Sequence, residues 1–293
     1  KQLEYTAQKG FINLFGEQRL SGALSSHVSG VSLLRQDYPT FVENIIRRSL
    51  SVLNNHTNTQ KNKAKSLNFT YNSTPTNTTN TGIKISHLNI DVAARMFQRK
   101  TRRIRGWGLE KRLVNNFIKL NNTKNHTERC YLATHSLPTQ ALNFIVNAYQ
   151  ARIWNLMANF RMEKYGWTTV FGDLIKHSNG SIYCWKNNSV SRPPLEAVVL
   201  PLYSSMKKPH NMCKDLLREV LREDGINVTS MRHVKQKYGL YGSYRRLIVR
   251  PHSLSVKKLT NNTLNKVEVS FTLASGHYAT TFISQSQHCN TSK

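Results

Sequence analysis

The sequence predicts a mixed helix-and-strand fold of the α+β class, and three observations carry that reading. Residues 138–166 hold apolar side chains at spacings of three and four (Leu142, Ile145, Tyr149, Ile153, Leu156, Phe160), the period of a long buried helix. GDLIKH and SIYCWK flank Asn179-Gly180, a dipeptide that favours a type I′ hairpin turn. KVEVSFTL alternates Val267, Val269, Phe271 and Leu273, the period of a half-buried strand.

The remaining elements follow in chain order. KQLEYTAQKG reads as a helix stopped by Gly10, and FINLF as a short extended segment. From His27 to Leu53 the pattern is helical in two pieces, with Asp37 as the cap and Pro39 at the start of the second. In that second piece Phe41, Val42, Ile45, Ile46, Leu50 and Leu53 share a core-facing stripe. Residues 54–82 are rich in Asn and Thr and offer little to bury, so they are expected to be a disordered insertion. Their N-x-T sequons at Asn55, Asn68, Asn72 and Asn77 are expected from chance in such a tract; glycosylation in a secreted protein is the alternative. Two helices should flank Gly106 and Gly108. AVVLPL reads as a buried strand, MCKDLLREVLRED as a helix ended by Gly225, and RRLIVR as a further strand.

Charge narrows the partners. The 293 residues carry 42 Lys and Arg against 15 Asp and Glu, a formal net charge of +27. A polyanion is the partner that such a balance suits, because each neutralised phosphate releases condensed counterions. Arg99, Lys100, Arg102, Arg103 and Arg105 fall within seven residues between Phe97 and Trp107. That run reads either as a surface tracking a nucleic-acid backbone, with stacking rings beside it, or as a solvated helix face.

Other classes find little support. The four cysteines (Cys130, Cys184, Cys213, Cys289) form no C-x-x-C pair, and reduced thiols in an intracellular protein are expected, in the nucleus or cytoplasm first, with an organelle as the alternative. His210 and Cys213 share a helical spacing, but two ligands do not make a metal site, so no metal is expected. P-loop, hydrolase and zincin motifs are missing from the sequence, and no apolar run approaches the roughly 18 residues of a membrane span.

Four separated segments, in one order, resemble the TruD-type pseudouridine synthases, in a form closer to the eukaryotic branch. FINLFGEQRL matches that family's Asn-Tyr-Phe-Gly-x-Gln-Arg motif at Asn13, Phe15, Gly16, Gln18 and Arg19. NAYQARIWN matches its Ala-Tyr-Gln-Ser helix at Ala148, Tyr149, Gln150, Trp154 and Asn155. GDLI, VVLPL and YRRLIVRP resemble the pieces that follow, and FTLASGHYAT resembles the closing Phe-x-Leu-Pro-Ser-Gly-x-Tyr-Ala-Thr.

The resemblance implies a pseudouridine synthase fold, with a mixed and mainly antiparallel sheet interrupted by an α/β TRUD insertion domain. Residues 1–10 would end the N-terminal catalytic half, 11–250 form the insertion domain and 251–293 complete the catalytic sheet. It also implies isomerisation of uridine in RNA, in the tRNA D-arm first and in other RNAs as well, by a cofactor-free and metal-free monomer. The family's nucleophilic Asp belongs to a Lys-Asp motif upstream of the first matched segment, so it is expected before residue 1, in a longer protein. This chain alone is then expected to be inactive.

The same resemblance assigns Arg19, Arg245 and Arg246 to phosphates, whose oxygens suit a guanidinium fork. Ser275 and Gly276 would make a tight turn into a helix starting near Thr280, placing Tyr278 either on the target base or in the core. Phe15 would line the RNA-facing side. Asn13 suits a buried hydrogen bond, with RNA contact as its alternative, and Gly16, Gln18, Tyr149 and Gln150 suit a structural junction. The sequence departs from the family pattern at Leu14, Leu20, Ser21, Tyr203, Ser204, Ala274 and Ser284. Those departures keep open a catalytically silent RNA-binding protein on the same scaffold.

Overall fold

The computed structural model describes residues 1–20, 27–61, 88–123, 125–186, 191–203, 213–227, 237–238, 240, 242–261 and 264–287. They fall into two compact units. One comprises Lys1–Leu20, Gln150–Lys235 and Tyr241–Lys293, and the other Ser21–Tyr149 and Gln236–Leu240. Among the described residues, no helix is long and apolar enough to cross a membrane.

The second unit is helical. Its elements are α3 (His27–Leu34), α4 (Tyr38–Lys61), α5 (Ile90–Thr101), α6 (Gly108–Lys119), α7 (His126–His135) and the first part of α8 (Thr139–Tyr165). Asp37 accepts from Thr40 N at 3.1 Å and starts α4, as its N-cap position requires. The stripe of Phe41, Ile45, Ile46 and Leu50 is fully buried, against α5 and α7. Ala93, Ala94 and Phe97 of α5 and Leu113, Val114 and Phe117 of α6 complete that core. Two expectations need correction. The helix α4 continues through residues 54–61, the start of the stretch read as disordered, while 62–82 lie outside the described residues. Phe97 is a core residue that meets Trp107 edge-on at 5.8 Å, so it offers no stacking surface beside the arginine run.

The first unit is built from α1 (Gln2–Lys9), β1 (Phe11–Ile12), α2 (Glu17–Leu20), the rest of α8, β2 (Leu174–Lys176), β3 (Ile182–Cys184), β4 (Val198–Leu202), α9 (Lys214–Glu223), β5 (Ser243–Arg246), β6 (Ile248–Val249), β7 (His252–Asn261), β8 (Leu264–Thr272) and α10 (Ala279–Gln287). An antiparallel sheet runs in the order β3-β2-β4-β5, β1 pairs with β6, and β7 with β8. The buried strand expected at AVVLPL is β4, and RRLIVR splits at Leu247 into β5 and β6. A separate apolar cluster joins Phe11, Val249 and Phe282, with Leu3, Ala7, Leu254 and Phe271 packed around it.

The hairpin differs from its expected form. Only Gly180 has a positive φ, at 87°, whereas a type I′ turn needs two such residues. Gly180 N donates to His177 O and His177 N to Ser181 O, so the loop is one residue longer and the glycine takes the left-handed position of the bulge. Strand β7, which the sequence left unassigned, pairs with β8 over most of its length.

Candidate functional site

The site of the first unit starts from an arginine. On β5, alternation turns Arg245 inward and leaves Tyr244 and Arg246 exposed. Arg245 Nε donates to the Asn13 carbonyl at 2.8 Å, Nη2 to Asn13 Oδ1 at 2.6 Å, and Nη1 to the Gly276 carbonyl at 2.7 Å. Its guanidinium carbon lies 4.0 Å from the Phe15 ring centre, 5.3 Å from that of Trp154 and 5.9 Å from that of Tyr278. Oxygens and ring faces thus receive a half-buried cation. Burial lowers its pKa to about 10, partly opposed by Tyr278.

Each partner is itself held. Asn13 is buried, donates its backbone N–H to Leu247 O, and donates Nδ2 to Arg246 O at 3.1 Å. Phe15 exchanges two hydrogen bonds with the Asn155 side chain, at 2.8 and 3.0 Å, and meets Trp154 edge-on. Trp154 donates to Leu200 O of β4. On the edge of β1 away from β6, the amide of Gln285 accepts from Ile12 N and donates to Ile12 O, satisfying both backbone groups.

Gly276 has φ +83°, the left-handed conformation that makes the turn after β8 tight. The turn returns Tyr278 over Gly16, where a Cβ would stand 3.1 Å from Tyr278 Cδ1 and 3.3 Å from Thr280 Oγ1. Tyr278 also meets Phe15 at 6.1 Å between ring centres. Beside these residues opens a cleft of about 720 Å³, lined among others by Phe15, Tyr244, Arg246, Arg250, His252 and His277. Glu196, the carboxylate on its wall, is paired with Arg250. Burial lowers the pKa of His277 first, with Arg245, Arg246 and His252 acting in the same direction.

The structure therefore gathers Asn13, Phe15, Gly16, Arg245, Arg246, Ser275, Gly276, Tyr278 and Thr280 in one unit. Several expected roles change. Arg245 was expected to offer its fork to phosphate, but three of its N–H groups are committed within the chain. Gln18 is exposed on α2 and fills no buried junction. Gln150 does make a buried bond, Nε2 to Tyr203 O at 2.7 Å, and Tyr149 is buried in the helical unit, packed on Gly30. Arg19 is half-buried. Arg99, Lys100, Arg102, Arg103 and Arg105 are exposed in the helical unit, with Lys100 bonded to Asn54 Oδ1 at 2.5 Å. Gln285, Arg250 and His277 were missed, since none sits in a periodic pattern that marks its partner. Residues 204–212, including His210, lie outside the described residues.

The family model for tRNA pseudouridine synthase D (TruD) matches residues 91–285. The chain belongs to the TruD family. Among curated relatives, the mouse pseudouridylate synthase 7 homolog is 34% identical over 111 residues, covering 38% of this chain and 17% of the relative. The multisubstrate pseudouridine synthase 7 of Schizosaccharomyces pombe is 24% identical over 276 residues, covering 84% of this chain and 36% of that one. The TruD chain thus spans about a sixth to a third of the length of these relatives. A solved TruD structure from Methanosarcina mazei aligns over 99% of this chain and 64% of its own, with a TM-score of 0.65 at 16% identity. That likeness establishes the α+β pseudouridine synthase fold.

Proposed function

We propose that this chain forms the RNA-facing part of an RNA pseudouridine synthase, whose first substrate is a uridine in the D-arm of tRNA. The observation that carries the reading is the joining of Asn13, Phe15, Arg245, Gly276 and Tyr278 around a cationic cleft, by the hydrogen bonds and ring contacts given above. The isomerisation breaks the N1–C1′ bond of uridine and forms C5–C1′; a proton leaves C5 and another is taken up at N1. The base must leave its stack to be reached. Phe15 and Tyr278 supply ring faces for it, Arg246 and Arg250 meet phosphates, and Arg245 holds the ring-bearing segments together.

The nucleophile is an aspartate outside residues 1–293. In support, each of the chain's five aspartates is engaged: Asp37 caps α4, while Asp91, Asp173, Asp215 and Asp224 pair with Arg129, Arg161, Arg218 and Arg152. None of the five lines the cleft.

The test incubates the full-length protein with a tRNA transcript and detects pseudouridine by mass spectrometry of the digested RNA. Formation that falls at least tenfold in Tyr278→Ala, with RNA binding retained, is the expected result. Binding without any pseudouridine would replace this reading with that of a silent RNA-binding protein.

A further inference from the structure

Helix α8 ends at Tyr165, and the loop that follows is held from beneath by an ion pair with no solvent access. Arg161 Nε and Nη2 reach the two carboxylate oxygens of Asp173 at 2.9 and 2.8 Å. The same guanidinium donates to Gly166 O at 2.9 Å and Thr168 O at 2.6 Å, and Asp173 Oδ2 accepts from Val170 N at 2.9 Å. Gly172 N donates to Trp185 O, and Arg192 Nη1 to Thr168 Oγ1. The loop thus has its backbone held at four points, Gly166 O, Thr168 O, Val170 N and Gly172 N, and the Thr168 hydroxyl is a fifth. Burying a charge pair of this kind adds little net stability, so its effect is to specify one conformation.

What the fixed loop presents is apolar. Trp167 is 41% exposed and Phe171 51%, the latter resting on the buried Trp185 ring at 4.6 Å. Tyr5 on α1 is 44% exposed, and Lys9 Nζ lies 4.4 Å from the Trp167 ring centre and 5.6 Å from that of Tyr5. Large rings left in water cost free energy, and here the cations Lys9 and Arg192 accompany them on a chain of net charge +27.

We infer that Tyr5, Trp167 and Phe171 form a preorganised stacking platform for unpaired RNA bases, with Lys9 and Arg192 meeting the adjoining phosphates. Rings held in place lose little entropy when a base stacks on them, and every base has a face to offer. The site shares no residue with the cleft, and it extends the RNA reading above, on which it rests. The cationic company of the rings favours a polyanion over an apolar protein partner.

The experiment measures binding of the full-length protein to a fluorescently labelled 12-nucleotide single-stranded RNA as a function of salt. Trp167→Ala and Phe171→Ala should each weaken binding about 5- to 150-fold with the salt slope unchanged, because a stacked base releases no counterions. Trp167→Phe should restore most of the affinity, and Lys9→Ala should make the slope shallower by about 0.7. Lys9, Trp167 and Phe171 are all exposed, and circular dichroism checks that the variants fold. Wild-type binding that both alanine variants leave untouched would overturn the platform and leave the cleft reading standing. No RNA binding by the wild type would overturn both.

Discussion

Arg245 and Asn13 are joined by two hydrogen bonds, one from Nε to the Asn13 carbonyl at 2.8 Å and one from Nη2 to Oδ1 at 2.6 Å. The pair links β5 to the segment after β1, 232 residues apart in sequence. Asn13→Ala removes the side-chain acceptor from a half-buried cation and the donor to Arg246 O. A loss of about 1.5–3 kcal/mol is expected by urea unfolding, the range for hydrogen bonds to charged groups. Arg246→Ala, on the exposed side of the same strand, should change stability by less than about 0.5 kcal/mol. It should instead weaken RNA binding.

Gly16 sits in tight contact beneath Tyr278. A methyl group there lies 3.1–3.3 Å from the ring and from Thr280 Oγ1, so Gly16→Ala requires these neighbours to give by a few tenths of an ångström and shifts the ring. Overpacking of this kind costs about 1–3 kcal/mol. Its effect on pseudouridine formation by the full-length protein should exceed its effect on RNA affinity, because the ring's position is altered and no cation is lost. Gly108→Ala, where the added Cβ meets nothing within 4 Å, is the control and should be neutral or slightly stabilising in a thermal melt.

Much of this arrangement was legible from residues alone, where the physics is local. Asp37 announces its cap, the unbroken apolar run from Val198 to Leu202 its burial, and the three-four spacing of α8 its length. The closing motif indicates a turn at Gly276 because only glycine adopts that conformation without strain. What failed depends on distant chain. Sequence spacing cannot tell which of Arg245 and Arg246 faces inward until the register of β5 against β4 is known. Asn54–Lys61 has poor helix formers, yet the packed stripe of α4 carries the helix through their start. Strand β7 has few β-branched residues and owes its form to pairing with β8. The Arg161–Asp173 pair joins residues in a helix and before a strand, a juxtaposition that no periodicity encodes.

That pair gives a stability prediction of opposite character in single and double variants. Asp173→Ala strands the fully buried Arg161 and should cost about 3–5 kcal/mol by chemical denaturation. Replacing both, as Arg161→Met with Asp173→Leu, removes the uncompensated charge and should recover much of that loss. Val170 N loses its acceptor in either case, and in the double variant the carbonyls of Gly166 and Thr168 lose their donor as well, so limited proteolysis should cut the 166–173 loop faster in both variants than in the wild type.

His277 couples the cleft to pH. Burial, then Arg245 and Arg246 of β5 and His252 of β7, hold its pKa below the ordinary imidazole value. In the unliganded protein the unfolded chain therefore binds more protons near this value than the folded one. The stability His277 contributes is present above about pH 6.5 and is lost as pH falls through the folded pKa. A phosphate in the cleft reverses the balance, since it favours the imidazolium against the surrounding cations. RNA binding should then take up a proton, and affinity should rise as pH falls from 7.5 to 6, by at most about tenfold per pH unit for one proton. His277→Gln should flatten that dependence, and His252→Gln tests whether the neighbouring ring shares it. Wild-type affinity that is constant across this range would mean that no RNA phosphate comes near His277, and would place the backbone along the other wall of the cleft.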